Sequence, residues 1–124
     1  MSGEPATGPV ELLSAVTLAS PDMAAAVGFY EALGFVRLYG GPQADFTSFG
    51  VGSGFLNLMR APKPDGIWGR VVFWVDDVDA MHDRVLAAGH RPETAPCDAP
   101  WGERYFHVRD PAGHELSFAR LLPS

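Results

Sequence analysis

Two stretches of the chain carry apolar residues at three- and four-residue spacing, the mark of a helix with one buried stripe. Met23, Ala26, Val27 and Tyr30 set the first, predicted over Pro21–Leu33. Ser20 is its expected N-cap, Pro21 takes the first helical position, and Gly34 supplies the left-handed stop. Val78, Met81, Val85 and Ala88 set the second, predicted over Val78–Ala88 with Asp77 as N-cap and Gly89 as stop. Around them lie short runs of alternating character, which predict strands. They cover Leu12–Leu18, Phe35–Tyr39, Asp45–Val51 and Phe55–Arg60, then Arg70–Val75, Arg91–Glu93, Glu103–Arg109 and Glu115–Arg120. Asp110-Pro111-Ala112-Gly113 has the residue placement of a type I turn, and Gly52-Ser53-Gly54 plays the same part earlier. Ala61–Gly69 is rich in Pro and Gly and reads as a joint.

The two halves repeat one pattern. A shift of 55 positions lays Val16–Gly34 on Val71–Gly89, matching strand, acidic helix start, helix and terminal glycine. Few identities survive, so the repeat is one of pattern: strand, helix, three strands, twice. Alternation then sorts the strand residues by face. Val16, Leu18, Leu56, Leu58, Val71, Phe73, Val75, Phe106, Val108, Leu116 and Phe118 share one parity, are all apolar, and are expected to pack on the helices. The other parity mixes aromatic, charged and small polar side chains. Phe55, Met59, Trp74 and Tyr105 are too apolar there for a bare surface, so this face is expected to line a ligand pocket. For Asp45–Val51 parity decides nothing.

Composition narrows the partners. The 124 residues are 47% hydrophobic and 19% charged, an ordinary globular balance for one domain. The expected layout is a flexible tail over residues 1–10 and one domain over 11–124, with modules at about 11–60 and 70–122. The net charge of −6 opposes nucleic acid and anionic membrane surfaces, which need a positive field. No apolar run approaches a membrane span, and the N-terminus lacks a signal-peptide pattern. With Cys97 the lone cysteine, a cytoplasmic protein is expected. Cys97 lies in a Pro-rich loop with nothing nearby in sequence to activate it, and is not proposed as a nucleophile. His82 and His90 read as surface residues, and His114 as part of the turn.

Three longer motifs carry a resemblance. Met23-Ala-Ala-Ala-Val-Gly-Phe-Tyr-Glu-Ala-Leu-Gly-Phe35 contains an "FYE-x-LGF" signature, and Val75-Asp-Asp-Val-Asp-Ala80 a strand-to-helix turn. Pro100-Trp-Gly-Glu-Arg104 with Asp110-Pro-Ala-Gly-His-Glu-Leu116 forms a "PWG-x-R … DP-x-GHEL" hairpin. Together they resemble the vicinal oxygen chelate superfamily of glyoxalases, bleomycin-resistance proteins and dioxygenases, over about residues 12 to 120. The resemblance implies an α+β fold of two βαβββ modules in a curved mixed sheet. It implies a cup-shaped partial barrel, open at one edge and completed in a homodimer.

Catalytic members of that family hold a metal at the first and last strands of each module. The resemblance maps those positions onto Ala15, Asn57, Arg70 and Ser117. Ala15 has no donor, Arg70 is a fixed cation, and Asn57 and Ser117 offer weak neutral oxygens. No metal and no other cofactor is therefore expected. The cup is left with Phe55, Met59, Trp68, Trp74 and Trp101 as aromatic or soft walls, and Asn57, Arg70, Tyr105, His107 and Glu115 as polar groups. Arg70 either pairs with a ligand anion or forms an internal salt bridge with Glu115, and both readings stand. The first functional reading is metal-free sequestration of an aromatic or anionic small molecule, as in resistance proteins. The alternative is a metal-independent isomerase or lyase. There Glu115 or His107 would be the base, and Tyr105 or Arg70 would steady an oxyanion. A metal-dependent glyoxalase or dioxygenase is opposed by the ligand positions.

Overall fold

The structure, a computed structural model, describes residues 8–9, 11–66 and 68–123. Most of the expected N-terminal tail, residues 1–7 and 10, lies outside the described residues. The elements run β1 (Ala15–Ala19), α1 (Met23–Ala32), β2 (Val36–Tyr39), β3 (Phe46–Val51) and β4 (Gly54–Met59). They continue with β5 (Arg70–Trp74), α2 (Val78–Ala87), β6 (Cys97–Asp98), β7 (Glu103–Arg109) and β8 (Glu115–Leu121). This is the expected pair of βαβββ units. The strands form two open four-stranded mixed sheets, β1-β4-β3-β2 and β5-β8-β7-β6. In each, the first strand lies parallel to the last, Ala15 beside Phe55 and Arg70 beside Glu115. The helical crossover makes that parallel pair possible, and the hairpins make the rest antiparallel.

The repeat persists at the level of hydrogen bonds. Asp22 caps α1 by accepting from the Ala25 N–H at 3.0 Å, and Asp77 caps α2 by accepting from the Ala80 N–H at 3.0 Å. Gly34 at φ 97° and Gly89 at φ 86° end the two helices in the left-handed region. The expected cap at Ser20 is corrected to Asp22. Ser20 still belongs to the sheet, its N–H donating to the Met59 carbonyl at 2.8 Å, and its hydroxyl is buried. Pro21 accordingly precedes the cap. The strand expected at Arg91–Glu93 does not form. Pro92 has no N–H to donate, and Glu93 N–H to the His107 carbonyl at 2.8 Å is the backbone bond seen among the described residues between the segment and β7. The edge strand is the two-residue β6 instead.

Every residue of the apolar parity faces the helices. Leu18, Leu56, Leu58, Phe73, Phe106, Val108, Leu116 and Phe118 are buried, and Val16, Val71 and Val75 pack against them. The undecided strand resolves the same way, with Thr47 and Phe49 inward. The Thr47 hydroxyl is satisfied by the backbone of Gly41, donating to its carbonyl at 3.2 Å and accepting from its N–H at 3.0 Å. His82 and His90 are half-buried rather than fully exposed. His82 shares the face of α2 that carries Val78 and Val85 and meets the Phe106 ring at 5.2 Å, and His90 packs edge-on to Phe29 at 4.7 Å.

An aromatic pair and a buried hydrogen bond are among the contacts that join the units. Phe35, just past α1, packs edge-on to Phe73 of the second sheet at 5.1 Å. The Tyr30 hydroxyl of α1 donates to Asp110 Oδ2 at 2.8 Å, with both residues buried. Asp110 Oδ1 in turn accepts from the N–H groups of Ala112 and His114 and so builds the β7–β8 turn. Burial, and then the neighbouring Asp110, push the Tyr30 phenol well above its ordinary range, so it remains a donor. Tyr30→Phe strands a buried carboxylate oxygen. It is expected to lower stability by about 1–3 kcal/mol in urea unfolding, with the denaturant slope unchanged.

Candidate functional site

The face of the second sheet that turns away from the core carries the chemistry. Arg70 and Val72 project from β5, Glu103, Tyr105 and His107 from β7, and Ser117 and Ala119 from β8. With Trp101 from the preceding turn they line a cavity of about 180 Å³. Alternation alone puts them there, since β7 and β8 pair Tyr105 with Ala119 and His107 with Ser117.

The charges in this face pair with one another. Glu115 is nearly buried, and its oxygens accept from Arg70 Nη2 and Arg109 Nη2, each at 2.8 Å. Arg109 also reaches Glu93 at 3.1 Å. Of the two readings of Arg70, the internal salt bridge is the one present. His107 Nδ1 lies 2.6 Å from the Ser117 hydroxyl. Burial, and then the charge of Arg70, lower the His107 pKa below its ordinary value, so the ring is neutral near pH 7. Tyr105 is raised above the usual phenol range, first through the neighbouring Cys97, and stays protonated.

The aromatic wall is ordered. The Trp101 indole stacks on Tyr105 with centroids 5.8 Å apart and planes 25° from parallel. Tyr105 then meets His107 at 4.9 Å. Trp101 is 59% exposed and is held by one hydrogen bond, its Nε1–H donating to Glu103 Oε1 at 2.7 Å. Glu103 escapes the sequence reading although it shares the parity of Tyr105 and His107. Extending the alternation back by one step along β7 finds it.

The remaining expected residues lie elsewhere. Phe55, Asn57 and Met59 sit on the outward face of the first sheet, where Asn57 Nδ2 donates to Thr17 Oγ1 at 3.3 Å. Phe55 lines a seam between the first strands of the two sheets, together with Val72. Trp68 is engaged away from the Trp101 cavity. Its Nε1–H donates to His114 Nδ1 at 2.7 Å, and His114 Nε2 donates to the Ala19 carbonyl at 2.6 Å. These two bonds fix one neutral tautomer of His114. Trp74 lines a cleft with Leu33, Phe35 and Met81. Within one chain, then, Arg70, Trp101, Tyr105 and His107 converge on the cavity with Glu115 beside them, and the other aromatics do not.

The positions that the resemblance assigns to a metal do not fit one. Ala15 has no donor atom, and Asn57 is bonded to Thr17. Arg70 is a cation held by Glu115, and Ser117 is bonded to His107. Glu115 has both oxygens on guanidinium groups. Among the described residues no group of three His, Cys, Asp or Glu side chains is placed to hold an ion.

Comparison with known proteins agrees with the fold. A family model described as Glyoxalase/Bleomycin resistance protein/Dioxygenase superfamily matches residues 12–118. The structure of TioX from Micromonospora sp. ML1 is 31% identical with a TM-score of 0.73, over 88% of this chain and 98% of that one. A lactoylglutathione lyase from Agrobacterium tumefaciens is 23% identical with a TM-score of 0.72, over 90% of this chain and 95% of that one. At that identity it shares the fold alone. An uncharacterised protein of Mycobacterium tuberculosis is 48% identical over 46 residues, which span 37% of this chain and 27% of that protein.

The lowered His107 pKa has a pH signature. An unfolded chain protonates this imidazole below its ordinary value of 6.5, while the folded chain resists. The stabilising difference is therefore complete above that pH and is lost as pH falls through the folded value. His107→Gln is expected to flatten the fall in melting temperature between about pH 7.5 and about pH 5.5, relative to wild type, in a thermal scan.

Proposed function

The chain belongs to the Glyoxalase/Bleomycin resistance protein/Dioxygenase superfamily, and on that footing we propose that it is a metal-independent binder of a small planar molecule. The binding surface is the outward face of the β5–β8 sheet, and the role is sequestration. The Trp101–Tyr105 stack beside a set of mutually paired charges carries this reading. A parallel aromatic pair with one face open to solvent is a platform for another ring. Arg70 and Arg109 already have carboxylate partners, so the reading favours a planar ring over an anion. The isomerase or lyase alternative would rest on His107. Glu115 has no oxygen free to take a substrate proton, whereas the neutral His107 ring does have a free nitrogen.

The same reading calls for a second copy of the chain. The cavity of about 180 Å³ falls short of the roughly 300–1,000 Å³ that enclose a ligand. Phe55 at 44%, Met59 at 46% and Trp74 at 50% stay exposed on the outward faces of the two sheets. A homodimer that sets one copy's first sheet over the other's second would cover those side chains and close the pocket.

Three measurements test the proposal. Trp101→Ala is expected to weaken binding of a planar probe such as quinoline by about tenfold in a fluorescence titration. Titration with Ni²⁺, Zn²⁺, Fe²⁺ or Mn²⁺ is expected to give no stoichiometric binding. A tight site lost on mutation of His107 or Glu115 would overturn the metal-free reading. Light scattering at micromolar concentration is expected to give a dimer, and a monomer would contradict the closed pocket.

A further inference from the structure

Glu103 is 6% exposed, and its Oε2 is buried with no hydrogen-bonding partner among the described residues. Its other oxygen holds the Trp101 indole. Native proteins rarely leave a buried carboxylate oxygen unpaired, because its lost hydration is not repaid. This one sits in the wall of the cavity, beneath a stacking platform.

The backbone around it is tied by hydrogen bonds. Gly102 at φ 95° makes the tight turn that folds the indole back onto the carboxylate. The turn is tied by Gly102 N–H to the Ala99 carbonyl at 3.0 Å and Ala99 N–H to the Glu103 carbonyl at 2.7 Å. Leu122 N–H donates to the Gly102 carbonyl at 2.9 Å. The indole above is more than half exposed, so it is the part that can tilt. No other side chain among those lining the cavity offers a buried acceptor without a partner.

We propose that Glu103 is the specificity determinant of this pocket. Its Oε1 positions Trp101 as the stacking surface, and its Oε2 accepts a hydrogen bond from a donor on the edge of the stacked ring. The ligand class is then a planar heteroaromatic carrying a ring N–H, amino or hydroxyl group. Rings of the same shape with acceptors only are rejected, because they leave the carboxylate oxygen unpaired and repel it. A ligand reaches Oε2 by tilting the indole. The inference rests on the planar-ring reading and adds to it the polarity of one position.

Two isosteric probes separate the claims: 2-aminoquinoline, which offers a donor, and 2-methylquinoline, which does not. Affinities are measured by fluorescence titration at a pH where both rings are neutral. Wild type is expected to favour the amino compound by about tenfold or more. Glu103→Gln keeps a carbonyl for the indole N–H and turns an amide N–H toward the ligand. It is expected to abolish or reverse that preference while still binding the methyl compound. A wild type that binds both rings equally overturns the assignment, and this arm stands even if the variant does not fold. A variant that folds with the wild-type preference intact overturns it too. If wild type binds neither ring, or Trp101→Ala binds both as well as wild type does, the planar-ring reading fails and the assignment falls with it.

Discussion

The hydrogen bond from Tyr30 to Asp110 is the point at which two copies of one pattern become one structure. Each βαβββ unit forms its own sheet, and among the described residues no strand of one pairs with a strand of the other. What holds them in register is aromatic packing, such as Phe35 on Phe73, together with this buried contact and the bond from His114 to the Ala19 carbonyl. Apolar packing is tolerant of small shifts, whereas a hydrogen bond between buried groups is not. Asp110 also organises the β7–β8 turn through its other oxygen, so the contact fixes the strands that carry the site. A tyrosine in the first motif and an aspartate in the last are thus partners across 80 positions.

The second sheet has settled its charges within itself. Glu115, beside the position of Arg70, lies between two arginines. A carboxylate so engaged gains little from a cation, and the guanidinium of Arg70 repels one. This is a stronger argument against metal than the mere identity of the four family positions. A neutral residue in place of a ligand only weakens a site, while Arg70 adds a fixed positive charge that repels a cation. The contrast with Glu103 on the same face is instructive. One carboxylate is fully paired and shapes the surface, and the other keeps one oxygen without a partner.

Much of the fold was legible because alternation and helical periodicity are local signals. The apolar parity named the core strand by strand, and the shift of 55 anticipated two helices with their stops. The misplaced features are those decided by competition. Ser20 is as good a cap as Asp22 by residue type, but the sheet claims its backbone first. Arg91–Glu93 looks extended, yet Pro92 has no N–H for a ladder and no strand forms there. His82 and His90 read as polar surface residues, and only the fold shows each half-buried against a phenylalanine ring, Phe106 and Phe29.

By itself, the order of apolar and polar residues determined the two modules and the faces of their strands. Those follow from geometry within a few residues of each other. Only the tertiary structure decided which side chains meet. It split the expected aromatic cup between two sheets, locked Trp68 onto His114, and chose the salt bridge for Arg70. It also left one oxygen of Glu103 unpaired, because pairing between distant strands and turns depends on register and closure, which no local pattern encodes.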